Sequence, residues 1–319
     1  MPALALGTNR IFRFLLGNLG LLLAVYPSFS APFPQPATIP AFVISELASR
    51  AVSGDPAARQ QLAEFLISAD PASPGYDHAL AWLQSSAAQN KPDAQFILGY
   101  LYEHGKSLPL DFSKAAENYR SSALQGYSPA ETNLGDLYRR GSGVPRDAAI
   151  SFHWYQLAAQ HGNRSAQQNL GAFYYIGYAT PVDYVEAANW FRASAEQGFA
   201  EGQNSLAYCY LKGMGVPRDN SLAAHWARLA AEQGHPRSEA LLAYLYEHGQ
   251  GLPLDYVSAY AWYSREVAAG DHSDVDRLKA LSQMMTRKQL DAANALISAP
   301  TLALRPGSPP SAPVLSPNP

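Results

Sequence analysis

Residues 130–162 read AETNLGDLYRRGSGVPRDAAISFHWYQLAAQHG, and the fold that we predict follows from this stretch. Ala130, Leu134 and Leu137 lie at the spacing of one face of a helix. Gly141 follows, and glycine takes the left-handed conformation at a helix C-terminus without strain. The first part of the stretch therefore predicts an amphipathic helix that ends at this glycine.

The remainder of the stretch predicts a second helix. Pro145 cannot continue the first helix, and Asp147 is placed to cap the N-terminus of the next one. Trp154 and Tyr155 belong to this second helix, which ends at Gly162. We expect the indole ring to be buried between helices, where it would supply up to about 4–6 kcal/mol of transfer free energy.

This pair of helices recurs every 36 residues without an insertion, and such a period is typical of stacked repeats. The tryptophans share one place in the repeat, and Trp82 marks an earlier, degenerate copy. We predict an all-α, right-handed α-solenoid of six helix–turn–helix repeats plus C-terminal capping helices. The recurring residues are Tyr102, Tyr138, Tyr174, Tyr210 and Tyr246; Gly105, Gly141, Gly177, Gly213 and Gly249; and Asp111, Asp147, Asp183, Asp219 and Asp255.

The N-terminus has the pattern of an export signal. Arg10 and Arg13 precede an apolar run from Phe14 to Val25, and small residues at Ser28 and Ser30 fit a cleavage site. An uncleaved anchor and a plain buried segment are the alternatives. We expect an exported protein, periplasmic or secreted, whose contact with a membrane would require the uncleaved anchor.

The predicted organisation follows from the prolines and the repeat. Proline-rich segments at both ends are expected to lack a packed core. Near the C-terminus, Thr286 and Gln289 fit a capping box for a last helix. The predicted segments are a signal peptide at 1–30, a Pro-rich linker at 31–43, a solenoid at 44–298 with a degenerate repeat at about 58–90, clear repeats at 94–270 and capping helices at 274–298, and a disordered Pro-rich tail at 299–319.

The repeat resembles the Sel1-like repeat, a branch of the tetratricopeptide-like family, of the bacterial exported type. The resemblance implies an adaptor that binds a protein or peptide; a periplasmic regulator of a signalling or envelope complex and a host-interaction factor are further possibilities that it implies. A secreted branch of this family has a disulfide in each repeat, and this chain departs from it because Cys209 is its single cysteine. The residues that carry the resemblance are Leu134, Gly135, Tyr138, Gly141, Gly143, Val144, Pro145, Asp147, Trp154, Tyr155, Ala158, Ala159 and Gly162.

The residue pattern argues against catalysis, metals and nucleic acid. The net charge of −3 lacks the basic face that phosphates require. The histidines have no i, i+4 pair typical of a metal site, and no nucleophile elbow occurs. Cys209 shares its place with Leu101 and Leu137, so we expect a buried, inert thiol and no cofactor. A cell-wall enzyme is the competing hypothesis, but Glu103 and Glu247 lie four repeats apart.

A second stripe on each first helix is the predicted binding face. If Ala94, Leu98 and Tyr102 face the core, residues at the intervening helical positions point away from it. First helices line the concave side of stacked helix pairs, so this stripe would meet a partner. Alternatively, its tyrosines pack against the adjacent helix. The predicted partner-binding residues are Phe96, Tyr100, Glu103, Asp136, Arg139, Gln168, Tyr175, Asn204, Tyr208, Tyr244 and Glu247.

Overall fold

A computed structural model describes residues 41–105, 108–268 and 274–298. The predicted signal peptide, the linker up to residue 40 and the proline-rich tail lie outside the described residues. Helix α1 already begins at Ala41, three residues before the predicted start of the solenoid.

The described residues form fifteen helices and no strand, which confirms the all-α prediction. From α2 to α13 the helices form six consecutive pairs, each with a first and a second helix. The bounds are α1 Ala41–Val52, α2 Pro56–Ser68, α3 Tyr76–Ala88, α4 Pro92–His104, α5 Phe112–Ala123, α6 Ser128–Arg140, α7 Ala148–Gln160, α8 Arg164–Ile176, α9 Tyr184–Glu196, α10 Ala200–Lys212, α11 Asn220–Glu232, α12 Pro236–His248, α13 Tyr256–Ala268, α14 Val275–Met284 and α15 Arg287–Ile297.

The chain divides into two compact units, residues 1–173 and 174–319, and the division falls inside α8. In the N-terminal unit, α1 packs against α2 and α3, and from α3 to α7 each helix packs against the next. In the C-terminal unit, successive helices from α9 to α13 pack in the same way, and α13 also contacts α14 and α15. Each unit is thus a stack of helix pairs closed by extra helices at one end.

The caps predicted from the sequence are present. The side chain of Asp147 accepts a hydrogen bond from the backbone N–H of Ile150 at 2.9 Å, which begins α7. Gly141 ends α6 with a φ of +74°, in the left-handed region. At the C-terminus, Thr286 and Gln289 form the expected capping box of α15. These local signals fix where each helix starts and stops.

The second glycine of the turn also joins successive repeats. Gly143 has a φ of +68°, and a Cβ added there would come under 3.0 Å from the backbone carbonyl of Phe112 at the start of α5. Gly215 has the same relation to Tyr184 in the C-terminal unit. The turn between the helices of one repeat therefore touches the first turn of the preceding second helix, backbone against backbone.

The expectation that the indole rings are buried between helices is wrong for three of the five. Trp82 and Trp262 are 6% and 1% exposed, but Trp154, Trp190 and Trp226 are half-buried. The residue after the tryptophan position is buried in all six repeats, and it is 3% exposed or less. These residues are Leu83, Tyr119, Tyr155, Phe191, Ala227 and Tyr263. The 4–6 kcal/mol expected per indole therefore applies only to the indoles nearest the two ends of the repeat array.

Candidate protein-binding surface

Four of the predicted surface residues are buried, so the prediction that they point away from the core is wrong. Phe96 is 1% exposed, Gln168 2%, Asp136 7% and Asn204 8%. The ring of Phe96 lies 5.7 Å from that of Tyr119. A strict helical face at i, i+4 and i+7 fails here because each first helix is flanked by two neighbours and buries more than one stripe.

Glu103 belongs to a structural polar network of the N-terminal unit. Its carboxylate accepts a hydrogen bond at 2.7 Å from the hydroxyl of Tyr119, on the second helix of the same repeat. The same carboxylate pairs at 2.6 Å with Arg140 of the next first helix, and its side chain is 8% exposed. The charge that we predicted at the surface is therefore used to join two repeats.

The same network recurs at the far end of the repeat array. Glu247 accepts from the Tyr263 hydroxyl at 3.0 Å and from Arg277 of α14 at 2.7 Å. The identical segment Tyr-Leu-Tyr-Glu-His-Gly at 100–105 and 244–249 explains the similarity, since it places glutamate above the same tyrosine position. Both predicted glutamates thus have partners within their own unit.

Asp136 and Arg139 form a third arrangement of this kind. The Tyr155 hydroxyl donates to Asp136 at 2.6 Å, and Arg139 pairs with Asp136 at 3.1 Å. Burial raises the pKa of Asp136 above its ordinary value, and the charge of Arg139 and the hydroxyl of Tyr155 oppose that rise. A buried carboxylate is tolerated here because two donors satisfy it.

The predicted residues of the C-terminal unit that remain at the surface are mostly tyrosines. Tyr175, Tyr208 and Tyr244 are half-buried. The Tyr175 hydroxyl donates a hydrogen bond to the sulfur of Met214 at 3.2 Å. Burial raises the pKa of the Tyr175 and Tyr208 phenols, so both stay neutral across the physiological range.

Tyr184 completes this group, although the sequence analysis did not select it. Its ring packs edge-on at 5.4 Å against that of Tyr175, and it is 41% exposed. We define the tyrosine surface of the C-terminal unit as Tyr175, Tyr184, Tyr208 and Tyr244. The missed signal was its position directly after the cap Asp183, where the first turn of a second helix meets the end of a first helix.

Cations and histidines border the tyrosine surface. His248 stacks on Tyr244 with ring centroids 4.2 Å apart, and the guanidinium of Arg277 lies 5.7 Å from the same ring. Lys212 lies 5.8 Å from the Tyr208 ring. In the N-terminal unit, Tyr100 is half-buried and stacks on His104 at 3.9 Å in the same manner. Aromatic rings with a polar rim are the composition of protein interfaces.

The thiol and the potential metal ligands of the chain do not lie in the tyrosine surface. Cys209 is fully buried, and burial raises the pKa of its thiol to about 12. Among the described residues, no group of three His, Cys, Asp or Glu side chains could hold a metal ion. In that same part of the chain, no helix combines the length and the apolar character needed to cross a bilayer.

The comparisons with known proteins agree with this architecture. No curated protein matches the chain. Two solved structures are similar to it: c5321, a protective antigen present in uropathogenic Escherichia coli strains displaying an SLR fold, at 31% identity over 78% of this chain and 54% of that one (TM-score 0.68), and a Sel1 repeat protein from Oxalobacter formigenes, at 26% identity over 79% of this chain and 96% of that one (TM-score 0.62). The chain thus spans about half the length of the antigen.

A family model decides the membership. The Sel1 repeat model matches six consecutive segments that follow the six helix pairs: residues 61–91, 92–127, 128–163, 164–199, 200–235 and 236–271. The chain therefore belongs to the Sel1 repeat family, whose members are generally scaffolds for protein interaction and typically not enzymes.

Proposed function

We propose that this chain is a non-enzymatic scaffold of the cell envelope that binds a protein or peptide through the half-buried tyrosines of its first helices. The observation that carries the proposal is the tyrosine surface of the C-terminal unit. Tyr208 and Tyr244 occupy the same place in successive repeats, and both are half-buried, so that part of each side chain is accessible. Tyrosines offer a large contact area with little loss of rotamer entropy, so they are common anchors of interfaces.

The position of these tyrosines on the first helices supports a concave binding face. Solenoids of stacked helix pairs bind their partners along an extended inner surface. Tyr100 occupies the corresponding place in the N-terminal unit. The rims of histidine, lysine and arginine would favour a partner with acidic groups beside its apolar anchors.

The carboxylates support a scaffold better than a cell-wall enzyme. A general acid or base must reach the atom whose proton it transfers. Glu103, Asp136 and Glu247 each accept hydrogen bonds from a tyrosine and an arginine of the fold itself. Their contacts give these groups a role in holding repeats together.

The export part of the proposal has support from the sequence and from one relative. The basic, apolar and small-residue pattern of residues 1–30 is that of a cleaved signal. The similar protein from uropathogenic Escherichia coli is described as a protective antigen. A location at or beyond the cell surface would suit that description. Sequencing the N-terminus of the protein purified from the envelope fraction should give Ala31 as the first residue, and an intact Met1 would contradict cleavage.

The binding proposal is tested by crosslinking in the native envelope. The chain carrying Tyr208→Ala and Tyr244→Ala should lose at least tenfold of the partner captured by the unchanged chain. Met284→Ala is the matched control, because Met284 is a large side chain, 62% exposed on α14, that does not belong to the tyrosine surface. Circular dichroism checks that each variant is folded. Equal capture by the double tyrosine variant and the control would refute the tyrosine surface as the binding site.

A further inference from the structure

We infer that a pocket at the N-terminal end of the repeat array binds a small organic anion, namely a carboxylate that carries a short apolar chain. The pocket is formed by α1, α2, α3 and the residue before α4, and its volume is about 360 Å³. Pockets that hold small ligands have volumes of about 300–1,000 Å³. None of the residues that line this pocket belongs to the tyrosine surface, so the inference goes beyond the proposed function.

The charged residues that line the pocket are both basic. They are Arg59 on α2 and Lys91 directly before α4, and no acidic residue is among the described residues around them in the lining. The Nε of Arg59 donates to the backbone carbonyl of Ala51 at 3.2 Å, which holds the guanidinium against α1. Asp55, four residues before Arg59, pairs with Arg50 instead, at 2.6 Å. Two cations without a carboxylate partner in the described part of the chain favour an anionic ligand.

A buried donor without an acceptor belongs to the wall of the same pocket. Trp82 lines the pocket and is 6% exposed, and its indole N–H has no hydrogen-bond partner among the described residues. An indole N–H can only donate, and a buried donor without a partner is unfavourable. A ligand oxygen that reached this N–H would supply the missing acceptor. Because a carboxylate accepts at both of its oxygens, it can serve an N–H and a cation together.

The wall that α1 contributes suits the apolar part of such a ligand. Ala48, Ala51 and Val52 line the pocket, and Val52 is 74% exposed. The side chains of these residues and the indole ring of Trp82 can cover a short aliphatic chain. Each methylene group that such a chain buries raises affinity about fourfold. The lining therefore favours a ligand that is charged at one end and apolar at the other.

The terminal segments of the chain have no acidic side chain to place in this pocket. Residues 1–40 contain neither aspartate nor glutamate, and the same is true of residues 299–319. Two cations would gain no ion pair from side chains of these segments. The composition of both segments thus favours an external molecule as the source of the carboxylate.

The test is a titration of the purified full-length chain with hexanoate, followed by the indole N–H signals of its five tryptophans in nuclear magnetic resonance spectra. Trp82→Phe assigns the Trp82 signal. Trp262 is the internal control, because its N–H is also buried without a partner among the described residues and it does not line the pocket. Hexanoate should shift the Trp82 signal and leave the Trp262 signal in place, with a Kd of roughly 1 mM for so small a ligand.

Two further probes separate the parts of the ligand. Acetate has the same charge without the apolar chain, and hexanamide has the same chain without the charge. Each should bind at least tenfold more weakly than hexanoate, because each lacks one of the two contacts that the pocket offers.

A matched pair of variants tests the role of the basic residues. Lys91→Gln removes a charge from an exposed side chain of the lining and should weaken hexanoate binding about tenfold. Lys288→Gln is the control, since Lys288 is an exposed lysine of α15 that does not line the pocket, and it should leave the affinity unchanged.

Four results would overturn the inference. They are an unmoved Trp82 signal, equal shifts of the Trp82 and Trp262 signals, binding of hexanamide or acetate as tight as that of hexanoate, and equal affinity in the Lys91→Gln and Lys288→Gln variants. Circular dichroism checks that each variant is folded. These measurements do not involve the tyrosine surface, so they leave the test of the proposed function independent.

Discussion

The turn glycine Gly143 offers the sharpest test of how the repeats are joined. It has a φ of +68°, and an alanine Cβ there would collide with the backbone of Phe112 and Ser113 in the preceding second helix. Gly162 has a φ of +82° and nothing within 4 Å of an added Cβ. The two glycines are therefore matched in backbone conformation and differ in the contact with the preceding repeat.

The magnitudes follow from this difference. The left-handed conformation costs an alanine about 1–2 kcal/mol, and both variants would pay it. Gly162→Ala should lose roughly that amount of unfolding free energy. Gly143→Ala adds an overpacking cost of about 1–3 kcal/mol, because a carbonyl of the neighbouring helix, unlike a flexible side chain, must move with its helix. The total expected for Gly143→Ala is about 2–5 kcal/mol.

The assay is urea unfolding of both variants and the unchanged chain, followed by far-ultraviolet circular dichroism. With a slope of about 2 kcal/mol per molar urea, an excess of about 2 kcal/mol lowers the midpoint of Gly143→Ala by roughly 1 M relative to Gly162→Ala. Hydrogen exchange should show the added loss of protection in α5 and α7, the helices on either side of the contact. Equal midpoints for the two variants would refute the view that this turn couples the repeats.

Three further outcomes are expected. Burial pushes the pKa of Glu201 up, but His235, which lies 2.7 Å from its carboxylate, lowers it below the ordinary 4.5. The ionised Glu201 carboxylate therefore stabilises the folded state above pH 4.5, and this stabilisation is lost as the pH falls through the pKa of Glu201 in the folded state. Glu201→Gln should cost about 1–3 kcal/mol at pH 7 and little in acid, measured by thermal unfolding across that range. Cys209 should resist iodoacetamide at pH 8 unless denaturant is added, since burial raises the pKa of its thiol to about 12, and rapid labelling in mass spectra of the native chain would contradict this. Trp262→Ala should cost about 3–5 kcal/mol and Trp226→Ala about half as much, in urea midpoints, because only the former indole is fully buried.

The fold was predictable because its signals are local. Gly141 ends α6, Asp147 caps α7, and Thr286 caps α15 through contacts within a few residues of chain. Each has a stereochemical reason that holds whatever the helix later packs against. A constant period of 36 residues then places the same signals in each clear repeat, so a wrong helix boundary predicted in one repeat does not shift the boundaries predicted in the others.

Depth within the stack was less predictable because it depends on how the helices cross. Trp154 and Tyr155 are neighbours on one helix, about 100° apart, and the periodicity assigns both to the buried side. The structure buries Tyr155 fully and leaves Trp154 half-buried. Which of two adjacent rings lies at the helix crossing is decided by contacts with other repeats, and a single sequence does not record those contacts.

The candidate surface was mixed with structural residues for a reason that the sequence does contain. Where the residue after the tryptophan position is tyrosine, its hydroxyl reaches under the first helix and a carboxylate of that helix accepts it, as Tyr119 does with Glu103 and Tyr155 with Asp136. Where that residue is Phe191, no hydroxyl is present, and the ring of Tyr175 packs near it with centroids 6.3 Å apart.

One second-helix residue thus decides whether a carboxylate of the first helix is drawn into a buried hydrogen-bond network. A tyrosine at that place draws a carboxylate and an arginine into a buried network that joins repeats, and those charges are then used by the fold. The side chains of Phe191 and Ala227 have no hydroxyl for a carboxylate to accept from. The first helices of these two repeats carry Tyr175 and Tyr208, respectively. Tyr175 and Tyr208 therefore lie where the structural network is interrupted, whereas Tyr244 shares its helix with Glu247, whose network is intact.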